Sequence, residues 1–167
     1  MDDIVPSLEE DPMPILTRLR EFLETNKVPY SVHSHPQAFT AQEIAALEHV
    51  AGRNLAKVVM VKGGDDLVML VVPADHRVDL ERVRRVLGRE IRLATEVEFR
   101  DAFPDCDVGA MPPFGNLFAI PVYVDNALEQ DEEIVFNAGT HTLTARLAFD
   151  DFVRLSEPRM ADFAVKG

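Results

Sequence analysis

The chain has 167 residues, 47% of them hydrophobic, enough for one well-buried core, so a single domain is expected. Its 29 acidic against 17 basic groups leave a formal charge of −12, which excludes holding nucleic acid by a bulk positive field; only a local patch or a partner can serve there. No apolar run reaches the roughly 20 residues of a membrane span, the acidic N-terminus lacks a signal-peptide pattern, and the single cysteine rules out an internal disulfide framework and fits a cytoplasmic protein.

Residues 1–13, with five acids and two prolines, read as a flexible acidic leader. From Pro14 the apolar Ile15, Leu16, Leu19, Phe22 and Leu23 recur at helical spacing, and Asn26 with Pro29 ends the helix. Residues 30–35 alternate as a strand that Pro36 stops, with His33 and His35 on one face. No third ligand lies near them, so a substrate contact or plain structure is favoured over a metal pair. Thr40-Ala41-Gln42-Glu43 is a capping box opening a helix that runs to about Gly52. Its N-terminal amides either receive a carboxylate or phosphate or simply make a good cap.

Lys57 opens an apolar, β-branched run that turns at Lys-Gly-Gly-Asp-Asp and returns through Leu67 to Val72. Both runs are apolar on alternate and intervening positions, so these strands are expected to be covered on both faces. A charged amine at the mouth of such a strand costs free energy unless it has a partner or a task, the plain alternative being a snorkelling surface lysine. Asp79 is placed to cap a helix carrying Leu80, Val83, Val86 and Leu87, and Gly88 to stop it. Between residues 77 and 100 seven arginines stand against five acids. Arg84, Arg85 and Arg89 are therefore candidates for RNA-backbone contact, unless the helix face is merely solvated. Thr95 and Glu98 form a second capping box, ahead of a short helix ending at Pro104. Cys106, between Asp105 and Asp107, is read as structural rather than nucleophilic.

Gly109-Ala110-Met111-Pro112-Pro113-Phe114-Gly115 reads as a stiff loop whose backbone can approach a ligand closely. Residues 117–124 are expected as a strand with an edge or bulge at Pro121, then an acidic turn at 128–133 and a strand from Ile134. Asn137-Ala138-Gly139-Thr140 is turn chemistry. The strand expected over 141–147 puts His141, Leu143, Ala145 and Leu147 on the apolar face and Thr142, Thr144 and Arg146 outside. An inward His141 is either a satisfied core group or a site residue. Phe149, Phe152 and Val153 belong to a last helix, and residues from 157 on look like a tail.

Taken together these residues resemble the YbaK/ProX family of aminoacyl-tRNA editing (deacylase) domains. The matching pieces, in family order over roughly residues 15–155, are His35-Pro36 with Phe39-Thr40, Ala56-Lys57, Pro73-Ala74-Asp75 with Arg77-Val78-Asp79-Leu80, the 109–115 loop, and Asn137-Ala138-Gly139-Thr140-His141. The resemblance implies an α/β domain at 14–156, between the leader and a tail at 157–167, with a mixed, barrel-like curled sheet surrounded by helices. It implies hydrolysis of the ester joining an amino acid to the 3′ end of a mischarged tRNA by a free-standing domain, with prolyl-tRNA synthetase as a possible associate. Lys57 is then the central pocket residue, with His141 as a second catalytic candidate. His33, Phe39, Thr40, Gly109, Ala110, Pro113, Phe114, Gly115 and Gly139 are the expected substrate-binding residues, and Phe39, Met111 and Phe114 are candidates to line a small pocket.

An aminoacyl ester is already activated, so a site need only orient it, place a water and stabilise the oxyanion. Lys57 can do this as an ammonium or, if desolvated, help activate the water, and backbone amides of 109–115 are candidate oxyanion donors. No zinc pattern appears and no covalent nucleophile is suggested, so a cofactor-free hydrolase without membrane or DNA partners is expected. The alternatives are a binding module for an amino acid, a nucleotide or tRNA without turnover, and a synthetase-associated partner protein.

Overall fold

A computed structural model of the chain describes residues 14–36 and 55–167. The expected leader, the capping-box helix at 40–52, Phe39 and Thr40 lie outside these residues. Helix α1 (Pro14–Thr25) turns Ile15, Leu19 and Leu23 into the core, as their spacing predicts, and leads into β1 (Tyr30–Ser34). The hairpin of β2 (Ala56–Gly63) and β3 (Asp66–Pro73) pairs Lys57 with Val72 and Gly63 with Asp66. Gly64 supplies the positive φ of its two-residue turn.

The hairpin is covered on both faces, and the period of two sorts its side chains. Ala56, Met60, Met69 and Val71 enter the main core, whereas Val61, Val68, Leu70 and Val72 enter a second layer. That second layer is closed by β4 (His76–Val78) and α2 (Leu80–Leu87). Asp79 caps α2, accepting from the amides of Glu81 at 3.0 Å and Arg82 at 3.3 Å, and Gly88 ends it in the left-handed conformation. After β5 (Arg92–Leu93), helix α3 (Glu96–Phe99) starts in the reciprocal Thr95–Glu98 capping box. The chain continues through β6 (Val122–Asp125), β7 (Glu133–Asn137), β8 (Leu143–Ala148), α4 (Phe149–Ser156), β9 (Arg159–Ala161) and β10 (Ala164–Lys166).

Three ladders form: β5-β2-β3-β6-β9, β1-β8-β7 and β10-β4. A parallel bridge between Leu55 and Val135 joins the first two along the free edge of β2. The result is the expected mixed, curled sheet flanked by helices, open rather than closed into a barrel. Its main core centres on Phe114, whose ring packs edge-on against Phe22 and Phe136 at 5.6 Å and Phe152 at 5.3 Å.

Three stretches differ from expectation. The strand foreseen at 117–124 is half its length, because Gly115–Phe118 winds into a 3₁₀ turn and β6 begins only after Pro121. Nor is β6 an edge: it pairs in parallel with β3 and β9, and the Pro121 carbonyl accepts from Met69 N at 2.9 Å. His141 precedes β8 and sits in the turn, so the alternation does not extend to it. Thr144, read as outward, is fully buried on the face away from the main core. Finally, residues 157–167 are no loose tail. Two short strands flank the fully buried Phe163, and the buried Asp125 carboxylate accepts from the amides of Phe163 and Ala164, each at 2.9 Å.

Candidate active site

Lys57 is the first charged residue inside β2, on the face opposite the main core. It is half-buried, and desolvation pushes its ammonium below the ordinary lysine value against the opposing pull of Asp75. Among the described residues no carboxylate comes within ion-pairing distance of it. Asp75 is itself bonded to His76, Oδ1 to Nδ1 at 2.6 Å. The lysine is thus a desolvated cation with a compensating charge nearby but, among the described residues, no direct counter-ion, an arrangement that makes it a functional-site candidate.

The strand register shows what shares its face. Two residues beyond the Leu55–Val135 bridge come Lys57 on β2 and Asn137 on β7. Asn137 pairs with Thr144 on β8, which pairs with His33 on β1. Because Val58, Phe136 and Ala145 point into the main core, their alternates Lys57, Asn137, Thr144 and His33 form a polar row on the other face. His33 is the exposed end of that row, its Nε2 3.0 Å from Ser31 Oγ.

At one end of β7 the two glycine-containing loops are stitched together. The Asp107 amide donates to Gly139 O at 2.8 Å and the Gly139 amide to Ala110 O at 2.9 Å. His141 clamps the pair: its amide donates to the Asp107 carboxylate at 3.3 Å, and its Nε2 lies 2.9 Å from the Val108 carbonyl. A Cβ on Gly109 would fall 3.6 Å from the His141 ring, so that position is tolerant of space but carries a φ of +86°. Gly115 is required by packing instead, and Gly139 by packing together with a φ of +96°. A Cβ on Gly115 would meet Ile120 O at 2.5 Å, and one on Gly139 would meet Ile15 Cγ2 at 2.5 Å.

The 110–115 segment is buried throughout, with Ala110 and Phe114 at 0% exposure. Met111, Pro113 and Phe114 are accordingly seen as walls of the core, not as an open surface, and the amides of Ala110, Gly139 and His141 already have acceptors within the loop pair. Burial between two aspartates pushes the Cys106 thiol up to about 12, in keeping with its structural reading.

Of the three arginines marked for RNA contact, two are engaged in the fold. Arg84 Nε donates to Ile91 O at 3.3 Å and lies 3.5 Å from Glu90. Arg89 binds Asp66 at 3.2 Å and Gly63 O at 2.5 Å. Arg85 is exposed and has no ion pair or hydrogen bond among the described residues. The largest described cavity, about 510 Å³, lies at the hairpin tip by Asp66, Arg89 and Tyr123, at the far end of β2 and β3 from Lys57.

Sequence reasoning gave no site role to Asn137, which entered as turn chemistry and as part of a family-matching stretch, nor to Thr144, assigned to solvent, nor to Asp75 as the charge acting on Lys57. The signal for the first two is a long-range join, Leu55 to Val135, which leaves no local trace.

Comparison with known proteins points the same way. A multifunctional Ser/Thr-tRNA deacylase, ProXp-y, of Escherichia coli K12 is 26% identical over 152 residues, 87% of this chain and 90% of that one. A proline–tRNA ligase of Heliobacterium modesticaldum is 29% identical over 99 residues, 59% of this chain but only 17% of the ligase. The crystal structure of a candidate trans-editing enzyme for prolyl tRNA synthetase superposes with a TM-score of 0.81 at 25% identity, covering 91% of this chain and 98% of the other. The model of the aminoacyl-tRNA editing domain matches residues 35–155. With the match spanning most of the chain and both glycine-loop segments, this protein belongs to the aminoacyl-tRNA editing domain family.

Proposed function

We propose that this chain is an aminoacyl-tRNA deacylase that hydrolyses the ester of mischarged tRNA, with Lys57 as the catalytic centre of its site. The observation that carries the reading is the desolvated Lys57, without a carboxylate in contact among the described residues, on a polar row beside the loop pair. Water attacks the ester carbonyl, the bond from carbonyl carbon to ribose oxygen breaks, and the ribose oxygen takes the proton that water gives up. The products are the free amino acid and tRNA with its terminal hydroxyl restored.

Lys57 stabilises the charge on the carbonyl oxygen in this step, an effect that grows in a water-poor setting. Its depressed proton affinity also makes the neutral amine more accessible as a base for the water. His141 and the 107–115 and 138–141 backbone hold the shape of the pocket rim, with His33, Gly109, Ala110, Pro113, Phe114, Gly115 and Gly139 as supporting residues. Phe39 and Thr40 are carried as proposed contacts from the resemblance alone. Arg85 is the foremost tRNA-backbone contact, with Arg84 and Arg89 holding its surroundings. The compartment is the one in which tRNA is charged, the cytoplasm, and a prolyl-tRNA synthetase is the first associate to test.

The test is hydrolysis of a panel of mischarged tRNAs by wild type and Lys57→Ala. Substitution is expected to lower turnover about tenfold or more without lowering the melting temperature. Full activity in the variant would remove Lys57 from the mechanism. Tight binding of aminoacyl-tRNA with no turnover in either protein would make the chain a binding module.

A further inference from the structure

The polar row next to Lys57 contains acceptors with nothing to accept from among the described residues. Thr144 is 0% exposed, and its Oγ1 has no hydrogen-bond partner among the described residues. The neighbouring Asn137, its register partner on β7, has a buried Oδ1 in the same condition. Buried polar atoms are paired in the great majority of native proteins, and an exception asks for a reason such as a ligand or an ordered water. Two such atoms on adjacent strands, on the face that carries Lys57, are a paired vacancy for donors.

The chemistry of these atoms restricts what fills it. Asn137 Oδ1 can only accept, and Thr144 Oγ1 can accept or donate. The aminoacyl part of an ester of a small amino acid offers donors in two places: the α-ammonium, common to all of them, and a side-chain hydroxyl, or the weaker thiol donor of cysteine, in some. An alanyl group has only the first. A seryl or threonyl group has both, three bonds apart, a separation that neighbouring positions across strands can serve.

We propose that Asn137 and Thr144 are the specificity-determining residues of the site: Asn137 Oδ1 receives the substrate's α-ammonium and Thr144 Oγ1 its side-chain hydroxyl, so the enzyme prefers seryl and threonyl esters to alanyl esters. The proposal rests on the deacylase reading for its reaction but on the orphan acceptors for its selectivity. A site built around a hydroxyl rejects an analogue lacking it far better than an apolar pocket rejects one methylene.

Thr144→Val is the decisive variant, since it keeps the shape and removes only the hydroxyl. In an ordinary buried network this swap is harmful. Here it deletes an atom with no partner among the described residues, so the melting temperature is expected to hold or rise. The ratio of kcat/KM for seryl-tRNA over alanyl-tRNA should fall about tenfold or more, while Thr144→Ser, which retains the hydroxyl, keeps the wild-type ratio. Asn137→Ala should lower kcat/KM for seryl, threonyl and alanyl substrates together, leaving their ratios in place.

An unreactive pair, 3′-seryl- and 3′-alanyl-amino-3′-deoxyadenosine, is titrated in parallel by calorimetry. Tighter binding of the seryl amide by wild type, lost in Thr144→Val, supports the assignment even if no ester is hydrolysed, in which case the deacylase reading alone falls. An unchanged seryl-to-alanyl ratio in Thr144→Val, in both turnover and binding, overturns the proposal and leaves the orphan atoms to a bound water. Equal affinity of wild type for the two amides overturns it as well, whatever the stability of the variants.

Discussion

Lys57 is held in the fold at a cost to stability. A lysine whose proton affinity is lowered by burial is destabilised in its charged form relative to the unfolded chain, where its pKa lies near the ordinary value of about 10.4. The sign follows from proton counting. Between the lowered folded pKa and the unfolded one, the unfolded chain binds more protons, so stability rises with pH across that window; below it, the folded state carries the full desolvation penalty. Lys57→Met removes the charge and retains the stem. It is therefore expected to raise the melting temperature at neutral pH and flatten the alkaline rise, while lowering deacylation about tenfold or more. Thermal melts from pH 6 to 10 read both effects, and a destabilised Lys57→Met with an unchanged pH profile would show the ammonium to be a structural asset. The contrast with Cys106 is instructive. Its thiol is pushed up to about 12 by burial and the flanking aspartates, so it stays protonated and is expected to react slowly with alkylating agents in the native state.

At the scale of elements, the site is positioned by contacts between segments distant in the chain. Gly139 is the tightest of them: its φ is +96°, and an added Cβ would overlap Ile15 of α1. Gly139→Ala should cost about 2 kcal/mol or more from the combined strain and overlap. Adding Ile15→Ala should relieve the overlap but not the strain, so a double-mutant cycle is expected to show a favourable coupling of about 1 kcal/mol. Zero coupling would place the cost in the backbone alone. Asp125 performs a similar task for the C-terminal strands. Asp125→Ala would strand the amides of Phe163, Ala164 and Ala127. A loss of about 2–3 kcal/mol is expected, with hydrogen exchange accelerated first in β9 and β10.

These long-range dependences also explain what the sequence could and could not disclose. The β2–β3 hairpin, the Asp79 cap, the Gly88 stop and the Thr95–Glu98 box were legible because each is encoded within one turn or one period of the chain. The C-terminal strands were not, since three-residue runs carry no usable period and Asp125 anchors them from a distant segment. Nor was the polar row, because it exists only once Leu55 bridges Val135. The inward reading of His141 failed for a local reason: alternation was carried past the end of β8 into a turn that Asp107 and Val108 hold from the other loop.

For the molecule as a whole, a charge of −12 opposes any polyanion, so a tRNA must meet a local exception. The seven arginines between 77 and 100 supply one in composition, but the structure divides them by occupation. Arg89 ties α2's C-terminal end to the hairpin tip through Asp66 and Gly63 O, and Arg84 secures the Ile91 carbonyl. Their positive charge is largely spent within the fold, whereas Arg85 presents its guanidinium to solvent. The two kinds of arginine should separate experimentally. Arg89→Glu is expected to lower the melting temperature, because it places a second carboxylate beside Asp66 and strands the Gly63 carbonyl. Arg85→Glu should leave stability within about 0.5 kcal/mol. It should nonetheless weaken use of full-length tRNA and reduce the salt slope of KM by about one, with no effect on a short aminoacyl-adenosine substrate that never reaches α2. That last comparison gives the measurement its force: a loss on tRNA alone assigns Arg85 to the polyanion, an equal loss on both substrates assigns it to the site, and unchanged KM and slope would return α2 to a solvated face and require the tRNA to approach from the His33 side.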